Sequence, residues 1–270
     1  MKRALLAACA VSLAALSLPS PAPAETAPAM RLWRLDCGTL LGPTPDRNLV
    51  GSCYLVRHGD AYLLWDAGYP AEYKGRVLDA KTGSTATLAS TIIEQLARIG
   101  IKPGQVTMVG LSHYHLDHIG QAQAFPDATL LMGKGDLDAL GAVPPVDGLH
   151  PEVLRHWIGG PGKLDPVSGD RDVFGDGSVV MLDLAGHTPG HHGLLVKLPG
   201  KGNVLLTGDL THFRENYAND VVAANNTDRA ASIASIDRFK MMAKTLNAVV
   251  IIQHDPRDVA KLPAFPEAAE

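Results

Sequence analysis

Short apolar runs, separated by clusters of Gly, Pro, Asn and Asp, divide most of the chain into predicted strands. Apolar and polar residues partly alternate near the N-terminus, whereas the later runs are continuous, which is typical of strands buried on both faces. The predicted strands cover residues 30–37, 52–57, 61–65, 106–111, 128–132, 179–184, 193–198, 204–207 and 248–252. The first three are predicted to be antiparallel strands with a hairpin turn.

A helical period of apolar positions predicts helices at residues 87–99 and 231–246, with shorter ones after Gly120 and at 134–140. Strand-rich halves that are each accompanied by helices predict an α/β fold. In this fold two sheets pack face to face and the helices lie outside.

Residues 141–172 show neither the alternation typical of a strand nor the apolar period of a helix, and they are rich in Pro, Gly and charged residues. A long irregular segment in a compact domain usually covers a site, so a substrate lid is one interpretation and a plain surface excursion is the other. Leu149, Trp157 and Ile158 are the apolar residues in this segment that we expect to contact a substrate.

The N-terminal 24 residues have the build of a secretory signal peptide. Lys2 and Arg3 precede an apolar run at 4–18, and small residues at 22–24 offer a cleavage site. The run of about 15 residues is shorter than the roughly 20 that span a bilayer. We therefore expect an exported protein, periplasmic or secreted, with no stable membrane anchor and with residues 25–270 forming one α/β domain.

The net charge limits the kinds of partner that the chain is expected to bind, and the cysteines allow a disulfide. A net charge of −4 without Lys/Arg runs argues against nucleic acid and leaves a small-molecule substrate. Cys37 and Cys53 either pair across neighbouring strands, as an oxidising compartment permits, or remain two buried thiols. The oligomeric state is open, and a dimer is one possibility.

The richest chemistry lies in residues 112–118, directly after the apolar run at 106–111. Histidine is the commonest ligand for divalent metals in proteins, and aspartate adds an oxygen donor. His113 and His115 alternate on an extended segment and therefore share a face. Asp117 and His118 follow where the chain turns into a helix, so they can serve a second metal. Without metal, partly charged imidazoles would repel one another.

Three later strands also end in donors, namely His187, Asp209 and His254. Strand ends are where an α/β layer fold gathers its site, so these donors and the first cluster predict a metal centre with seven ligands. Asp66 ends another buried strand, where a carboxylate needs a partner. It either supports the metal loop or caps a turn.

Together these motifs resemble the metallo-β-lactamase superfamily, which implies a four-layer αββα sandwich of two mixed sheets. The resemblance implies that one metal is held by His113, His115 and His187. It implies that the other is held by Asp117, His118 and His254, with Asp209 bridging the two. Asp66 and His191 would support the site without binding metal. Two divalent ions are expected; zinc is the first choice, and iron, manganese and cobalt are alternatives.

Within that superfamily, segments 35–38, 52–56, 65–68, 186–191, 207–209 and 213–217 are most similar to the N-acyl-homoserine lactonases. This similarity implies a quorum-quenching hydrolase that opens a lactone ring, with N-acyl-homoserine lactones as the expected substrates. The ring would be opened by attack of a hydroxide held between the metals. Asp117 would pass a proton to the leaving alkoxide. His212 stands where many such lactonases have Tyr, and we expect it to stabilise the carbonyl oxygen. Phe213 would contact an acyl chain.

Other functions remain compatible with these residues. A zinc β-lactamase fits the export signal, although those enzymes generally carry Cys or Ser where this chain has Asp209. A phosphotriesterase with the same seven ligands is a further enzymatic alternative. The non-enzymatic alternative is a metal-dependent binding protein that retains the fold and lacks the reaction.

Overall fold

Two mixed β-sheets form the centre of the protein, seen in a computed structural model that describes residues 28–76, 78–79, 85–144 and 146–270. The predicted signal peptide, residues 1–24, lies outside the described residues. The strands are β1 (Met30–Leu41), β2 (Leu49–His58), β3 (Ala61–Trp65), β4 (Leu78–Asp79), β5 (Thr85–Thr87), β6 (Val106–Leu111), β7 (Thr129–Gly133), β8 (Leu164–Val167), β9 (Arg171–Asp172), β10 (Val179–Asp183), β11 (His192–Leu198), β12 (Gly202–Leu206) and β13 (Val249–Ile251). The α-helices are α1 (Ile92–Arg98), α2 (Leu116–Ile119), α3 (Lys134–Leu140), α4 (Arg214–Asn219) and α5 (Arg229–Thr245).

The first sheet has the order β4-β5-β1-β2-β3-β6-β7-β8, and the second has the order β13-β12-β11-β10-β9. In the first sheet, β1, β2 and β3 pair antiparallel, whereas β3, β6, β7 and β8 pair parallel. In the second sheet, β12 and β13 pair parallel and the other pairs are antiparallel. Both sheets are therefore mixed, as predicted.

Alternation along the central strands separates the core into layers, because neighbouring side chains point to opposite faces of a sheet. On β3, Leu63 packs between the two sheets while Leu64 packs on the helical side of the first sheet. On β12, Leu206 faces the other sheet and Leu205 packs with Phe239 of α5. The layers run helix, sheet, sheet, helix, so the αββα prediction is confirmed.

The predicted helix at residues 87–99 was wrong over its first part. Thr85–Thr87 is strand β5, which pairs with β1, and α1 begins only after Thr91. A capping box fixes that start: the Glu94 N–H donates to Thr91 Oγ1, and the Thr91 N–H donates to Glu94 Oε2. The local cap therefore set the boundary where the apolar period did not.

Residues 141–172 are less irregular than predicted. They contain a 3-10 turn at Pro151–Leu154 and the strands β8 and β9. Strand β8 pairs with β7 at the edge of the first sheet, where its Pro166 is tolerated because an edge strand leaves N–H positions unpaired.

Cys37 and Cys53 form a disulfide between β1 and β2, with Cα atoms 5.8 Å apart. Both residues are fully buried. Of the two interpretations of the cysteines, the structure has the paired one. In the part of the chain that the structure covers, no helix has both the length and the apolar character needed to cross a bilayer.

Candidate metal centre

The donor residues predicted from the sequence all lie at one edge of the sandwich, where strands from both sheets end. Strand β6 leads into His113 and His115, and the short helix α2 carries Asp117 and His118. The segments that follow β10, β12 and β13 carry the remaining donors, His187, Asp209 and His254. Parallel neighbours β3 and β6, and β12 and β13, end at the same edge, which explains why distant segments meet there.

The donors form two groups, in each of which one ligand atom per residue lies within 4.8 Å of the others. The first group is His113, His115, His187 and Asp209; the second group is Asp117, His118 and His254. The structure thus brings together all seven residues that the sequence singled out, in the division that the resemblance implied.

The Asp209 carboxylate lies between the two groups. Its Oδ2 is 3.7 Å from His113 Nε2 and 3.4 Å from His187 Nε2. Its Oδ1 is 3.2 Å from His118 Nε2 and 2.8 Å from His254 Nε2. Each oxygen therefore faces one group, which is the geometry of a bridging ligand.

Two observations show that this arrangement fits divalent ions better than a hydrogen-bond network. Asp209 Oδ1 is buried, and although His254 Nε2 lies 2.8 Å away, no contact among the described residues gives this oxygen the angles of a hydrogen bond. A buried oxygen in this position needs another partner. The imidazole nitrogens also converge: His115 Nδ1 lies 2.8 Å from His113 Nε2 and 3.0 Å from His187 Nε2. Tetrahedral zinc holds nitrogen ligands roughly 3.4 Å apart, so little adjustment is needed to bind it.

The electrostatics of the first group favour neutral imidazoles, the form that binds metal. Burial and the neighbouring His118 hold the pKa of His113 well below its usual value. Burial and the neighbouring His187 lower the pKa of His115 to about 4. Both rings therefore present a free lone pair at neutral pH.

In the second group, the negative charges of the neighbouring carboxylates outweigh the effect of burial on the histidine pKa values. Burial opposes protonation of His118, but the charges of Asp209, Asp117 and Asp66 outweigh it and raise its pKa well above the usual range. The pKa of His254 is raised in the same way, mainly by Asp209. Burial opposes ionisation of Asp209, yet the surrounding histidines hold the pKa of its carboxyl well below the usual value. Positive charge is thus favoured here, and a cation can supply it.

Oxygen acceptors orient several of the candidate ligands through their second ring nitrogen. His118 Nδ1 lies 2.9 Å from Asp66 Oδ2, and His254 Nδ1 lies 3.0 Å from the Val50 carbonyl oxygen. His187 Nδ1 lies 2.9 Å from Asn226 Oδ1. Such contacts fix the tautomer and leave Nε2 free to bind a metal. Asn226 gave no signal in the sequence, since it is 39 positions from His187.

Asp66 is fully buried at the end of β3 and joins three segments of the site. The Ser112 N–H donates to its Oδ1 at 2.7 Å, and the Ser112 hydroxyl and the Gln253 amide donate to its Oδ2. Its φ is 61°, which is uncommon for a residue other than Gly. Of the two interpretations of Asp66, these contacts favour support of the metal loop. Ser112 and Gln253 went unnoticed in the sequence, although each is adjacent to a candidate ligand.

His191 and Asp136 support the site without belonging to either donor group. The Asp209 N–H donates to His191 Nε2 at 2.9 Å, so this ring holds the backbone of the bridging residue. Asp136 on α3 is buried and accepts from the Thr188 hydroxyl and the Gly190 N–H, which fixes the loop that carries His187. Burial raises the pKa of Asp136 to about 7. Asp136 was also missed in the sequence, because an acid on a short helix has no distinctive pattern.

His212 lies against the bridging carboxylate, with its Nε2 3.1 Å from Asp209 Oδ2. Its ring is also near those of His187 and His254, at centroid distances of 5.7 and 5.6 Å. Phe213, the next residue, is half-buried under the guanidinium of Arg47, 5.4 Å from its ring centre. His212 is thus at the site, and Phe213 is beside it in sequence.

The interpretation of Trp157 as a lid residue was wrong. Trp157 is 2% exposed and packs in the core between the first sheet and the helices. Its indole N–H donates to the Ala128 carbonyl at 3.0 Å, so both its apolar and polar parts are satisfied within the fold. Leu149 and Ile158 are half-buried and pack against the same core. The three residues anchor their segment to the sheet.

The fold and the site define a class of protein: an αββα sandwich with a His/Asp cluster suited to two metal ions at one edge. A family model for the metallo-beta-lactamase superfamily matches residues 46–254, and the chain belongs to this superfamily. It is 29% identical over 267 residues to the N-acyl homoserine lactonase AttM of Rhizobium radiobacter, covering 88% of this chain and 98% of that protein.

Solved structures show the same fold. One is an N-acyl homoserine lactone hydrolase with the product N-hexanoyl-L-homoserine bound at its catalytic metal centre, with a TM-score of 0.76, 23% identity and coverage of 90% of this chain and 100% of that one. Another is AidC, a dizinc quorum-quenching lactonase, with a TM-score of 0.64, 19% identity and coverage of 90% and 91%.

Proposed function

We propose that the protein is a dinuclear-metal hydrolase that opens the ring of N-acyl-homoserine lactones. The observation that carries this proposal is the position of Asp209, whose two oxygens face the two donor groups. The names of the relatives point to the same substrate class. Zinc is the expected metal, because the ligands are mostly imidazoles and a structural relative is a dizinc lactonase.

When bound, two divalent ions supply a water of lowered pKa and polarise the carbonyl of the ester. The residues of the chain do the rest. Asp66 and His191 hold His118 and Asp209 in place. Asp117 is 23% exposed and lies within 3.7 Å of both His118 and His254, where it can transfer a proton to the alkoxide that leaves.

His212 is the residue that we assign to the carbonyl oxygen. Its ring is 19% exposed, so it lies at the mouth of the site and can meet a substrate. In the structure His212 Nε2 lies 3.1 Å from Asp209 Oδ2, an acceptor, so the ring directs its N–H toward the bridging carboxylate. In the complex this N–H would donate to the carbonyl oxygen instead, once Asp209 is engaged by the metals. It would take the position that a Tyr occupies in many lactonases.

A cavity of about 590 Å³ beside α2 is the place that we propose for the acyl chain. Leu116, which lies between the candidate ligands His115 and Asp117, lines it together with Pro70, Tyr73, Ile93 and Val153. Gln123, Glu152 and Arg155 add polar groups at the same cavity. This cavity replaces the predicted lid as the substrate-binding surface, because Trp157 is committed to the core.

We also propose that the protein is exported. The basic and apolar start of the chain supports this, as does the disulfide between Cys37 and Cys53, which is typical of oxidising compartments. Fractionation of cells expressing the full chain tests the proposal: the protein should be found outside the cytoplasm and should begin after Ala24. Full-length protein in the cytoplasm would contradict it.

A substrate panel on one purified sample of known metal content tests the activity. The panel holds short- and long-chain acyl-homoserine lactones, a chromogenic cephalosporin and a phosphotriester. We expect lactones to be opened fastest. The Asp209→Ala variant should lose both metal and turnover, whereas the matched surface variant Asp60→Asn should retain them. Faster turnover of the cephalosporin or the phosphotriester would refute the lactonase proposal in favour of that activity. If the wild type turns over none of the substrates and Asp209→Ala binds its ligand as tightly as the wild type, the protein is a binding protein.

A further inference from the structure

Tyr69, just past the end of β3, is held against the helix that carries two candidate ligands. The Ala67 N–H donates to the His118 carbonyl at 2.6 Å, and the Gly120 N–H donates to the Gly68 carbonyl at 2.7 Å. The Gln121 side-chain amide donates to the Tyr69 carbonyl at 2.9 Å. These hydrogen bonds connect the backbone of residues 67–69 to α2 and the residues that follow it. The backbone at Tyr69 is therefore connected directly to the helix that carries these ligands.

The ring of Tyr69 is fixed by two contacts. Gly38 on β1 has a φ of 107°, and a Cβ added there would lie 2.7 Å from Tyr69 Cδ2, so only glycine leaves room for the ring. On another side the ring of Tyr73 stacks at a centroid distance of 5.7 Å. Tyr73 also lines the cavity that we propose for the acyl chain. The Tyr69 ring thus lies beside that cavity.

The Tyr69 hydroxyl is available to a ligand. None of the hydrogen bonds found within the described residues engages it, although the residue is only partly exposed. Burial, followed by the negative charges of Asp117 and Asp209, raises the pKa of Tyr69. The phenol therefore stays protonated over the physiological range and is a hydrogen-bond donor, on a segment that is hydrogen-bonded to α2 and lies beside the proposed acyl-chain cavity.

We propose that the Tyr69 hydroxyl contacts the substrate and donates a hydrogen bond to the ring oxygen of the lactone, the oxygen that leaves the acyl carbon. This inference rests on the proposed function. As the bond between the acyl carbon and this oxygen breaks, the oxygen gains negative charge, and a donor already in place stabilises it. Tyr69 keeps its own proton. The proton that the alkoxide finally takes is that of the hydroxyl newly bonded to the acyl carbon; Asp117 accepts it and passes it on, so the products are a carboxylate and an alcohol.

The proposed role complements that of His212, which lies in contact with Asp209. Tyr69 belongs to a different segment, one that is hydrogen-bonded to the helix of Asp117. The two residues would divide the work, with His212 at the carbonyl oxygen and Tyr69 at the leaving oxygen.

Tyr69→Phe tests the proposal, because it removes only the hydroxyl and keeps the packing against Gly38. Tyr62→Phe, at a half-buried Tyr of β3 that has no part in the site, is the matched control. Metal content and melting temperature should equal those of the wild type in both variants. For Tyr69→Phe we expect kcat on an acyl-homoserine lactone to fall about 10- to 100-fold, the effect of one hydrogen bond to a charged group, with little change in KM. Tyr62→Phe should leave kcat within about twofold.

The corresponding thiolactone separates a contact at the leaving atom from other effects, because sulfur is a weak hydrogen-bond acceptor. Tyr69→Phe should lower kcat for the thiolactone less than about threefold. An equal loss on lactone and thiolactone would overturn the proposed contact, and so would a Tyr69→Phe enzyme with wild-type kcat. If the wild type opens no lactone at all, the proposed function itself fails, and the Tyr69 proposal fails with it.

Discussion

Replacing Asp66 by Asn tests how the second donor group is prepared for its metal. The native carboxylate only accepts hydrogen bonds. The Nδ1–H of His118 therefore donates to Asp66 Oδ2, and the two atoms are 2.9 Å apart. In Asp66→Asn the side-chain oxygen is expected to keep the Ser112 N–H, which places the amide NH₂ opposite Gln253 and His118. His118 Nδ1 then becomes the acceptor and its proton moves to Nε2. That nitrogen is the atom that faces Asp209 and His254.

The size of the effect follows from this change of tautomer. Removing such an outer partner of a metal-bound histidine typically costs 10- to 100-fold in metal affinity, which is about 1.4 to 2.7 kcal/mol. The two amide groups that now face each other lose a hydrogen bond, which lowers the free energy of unfolding by about 1 to 3 kcal/mol. A domain of ordinary stability, about 5 to 15 kcal/mol, still folds after this loss.

Competition with a chromophoric chelator measures both dissociation constants on the same sample. Asp66→Asn should weaken one of the two sites by about 10- to 100-fold and leave the other within about threefold. Asp60→Asn, on the exposed turn between β2 and β3, is the matched control and should leave both unchanged. If both sites of Asp66→Asn bind metal as tightly as the wild type, the assigned role of Asp66 is wrong.

Further predictions concern stability. The Cys37→Ala/Cys53→Ala double variant should lose about 3 kcal/mol in urea unfolding, given a sequence separation of 16, and an unchanged midpoint would contradict this. Because the pKa of Asp136 is raised to about 7, its contribution to stability is full below about pH 4 and is lost as the pH rises through 7. Asp136→Asn should therefore flatten the urea-midpoint profile of metal-stripped protein between pH 4 and 7, and an equally steep profile would count against it. Trp157→Ala should lower the free energy of unfolding by about 3 to 5 kcal/mol without a selective loss of long-chain substrates; the reverse pattern would restore the lid interpretation.

The pattern of apolar residues along the chain was sufficient to predict those strands and helices whose bounds depend on their own residues. The bounds of β3, β6 and α3 agree with those predicted from apolar runs and periods. The candidate ligands were equally accessible, because several of them lie in one short segment and the others follow predicted strands. Identity of residue and position on a strand end carried that prediction.

Contacts between residues that are distant along the chain could not be predicted from the sequence. Strand β8 exists because it pairs with the edge of β7, where Leu130 lies opposite Leu164, 34 positions away; its own composition suggests a loop. Trp157 belongs to the core because the Ala128 carbonyl and the sheet meet it there. Asn226 and Asp136 position the segment that carries His187 from distant loops and helices. In each case the determining contact joins segments whose proximity only the fold establishes.

The need for two metal ions in lactone opening is tested most directly by the rate of the reaction as metal is returned to stripped protein. Zinc is added stepwise, bound metal per chain is quantified, and initial rates on one acyl-homoserine lactone are measured at each step. We predict that the rate becomes maximal when two ions are bound per chain and does not rise further. Full activity with one ion bound, or two bound ions without lactone opening, would contradict it.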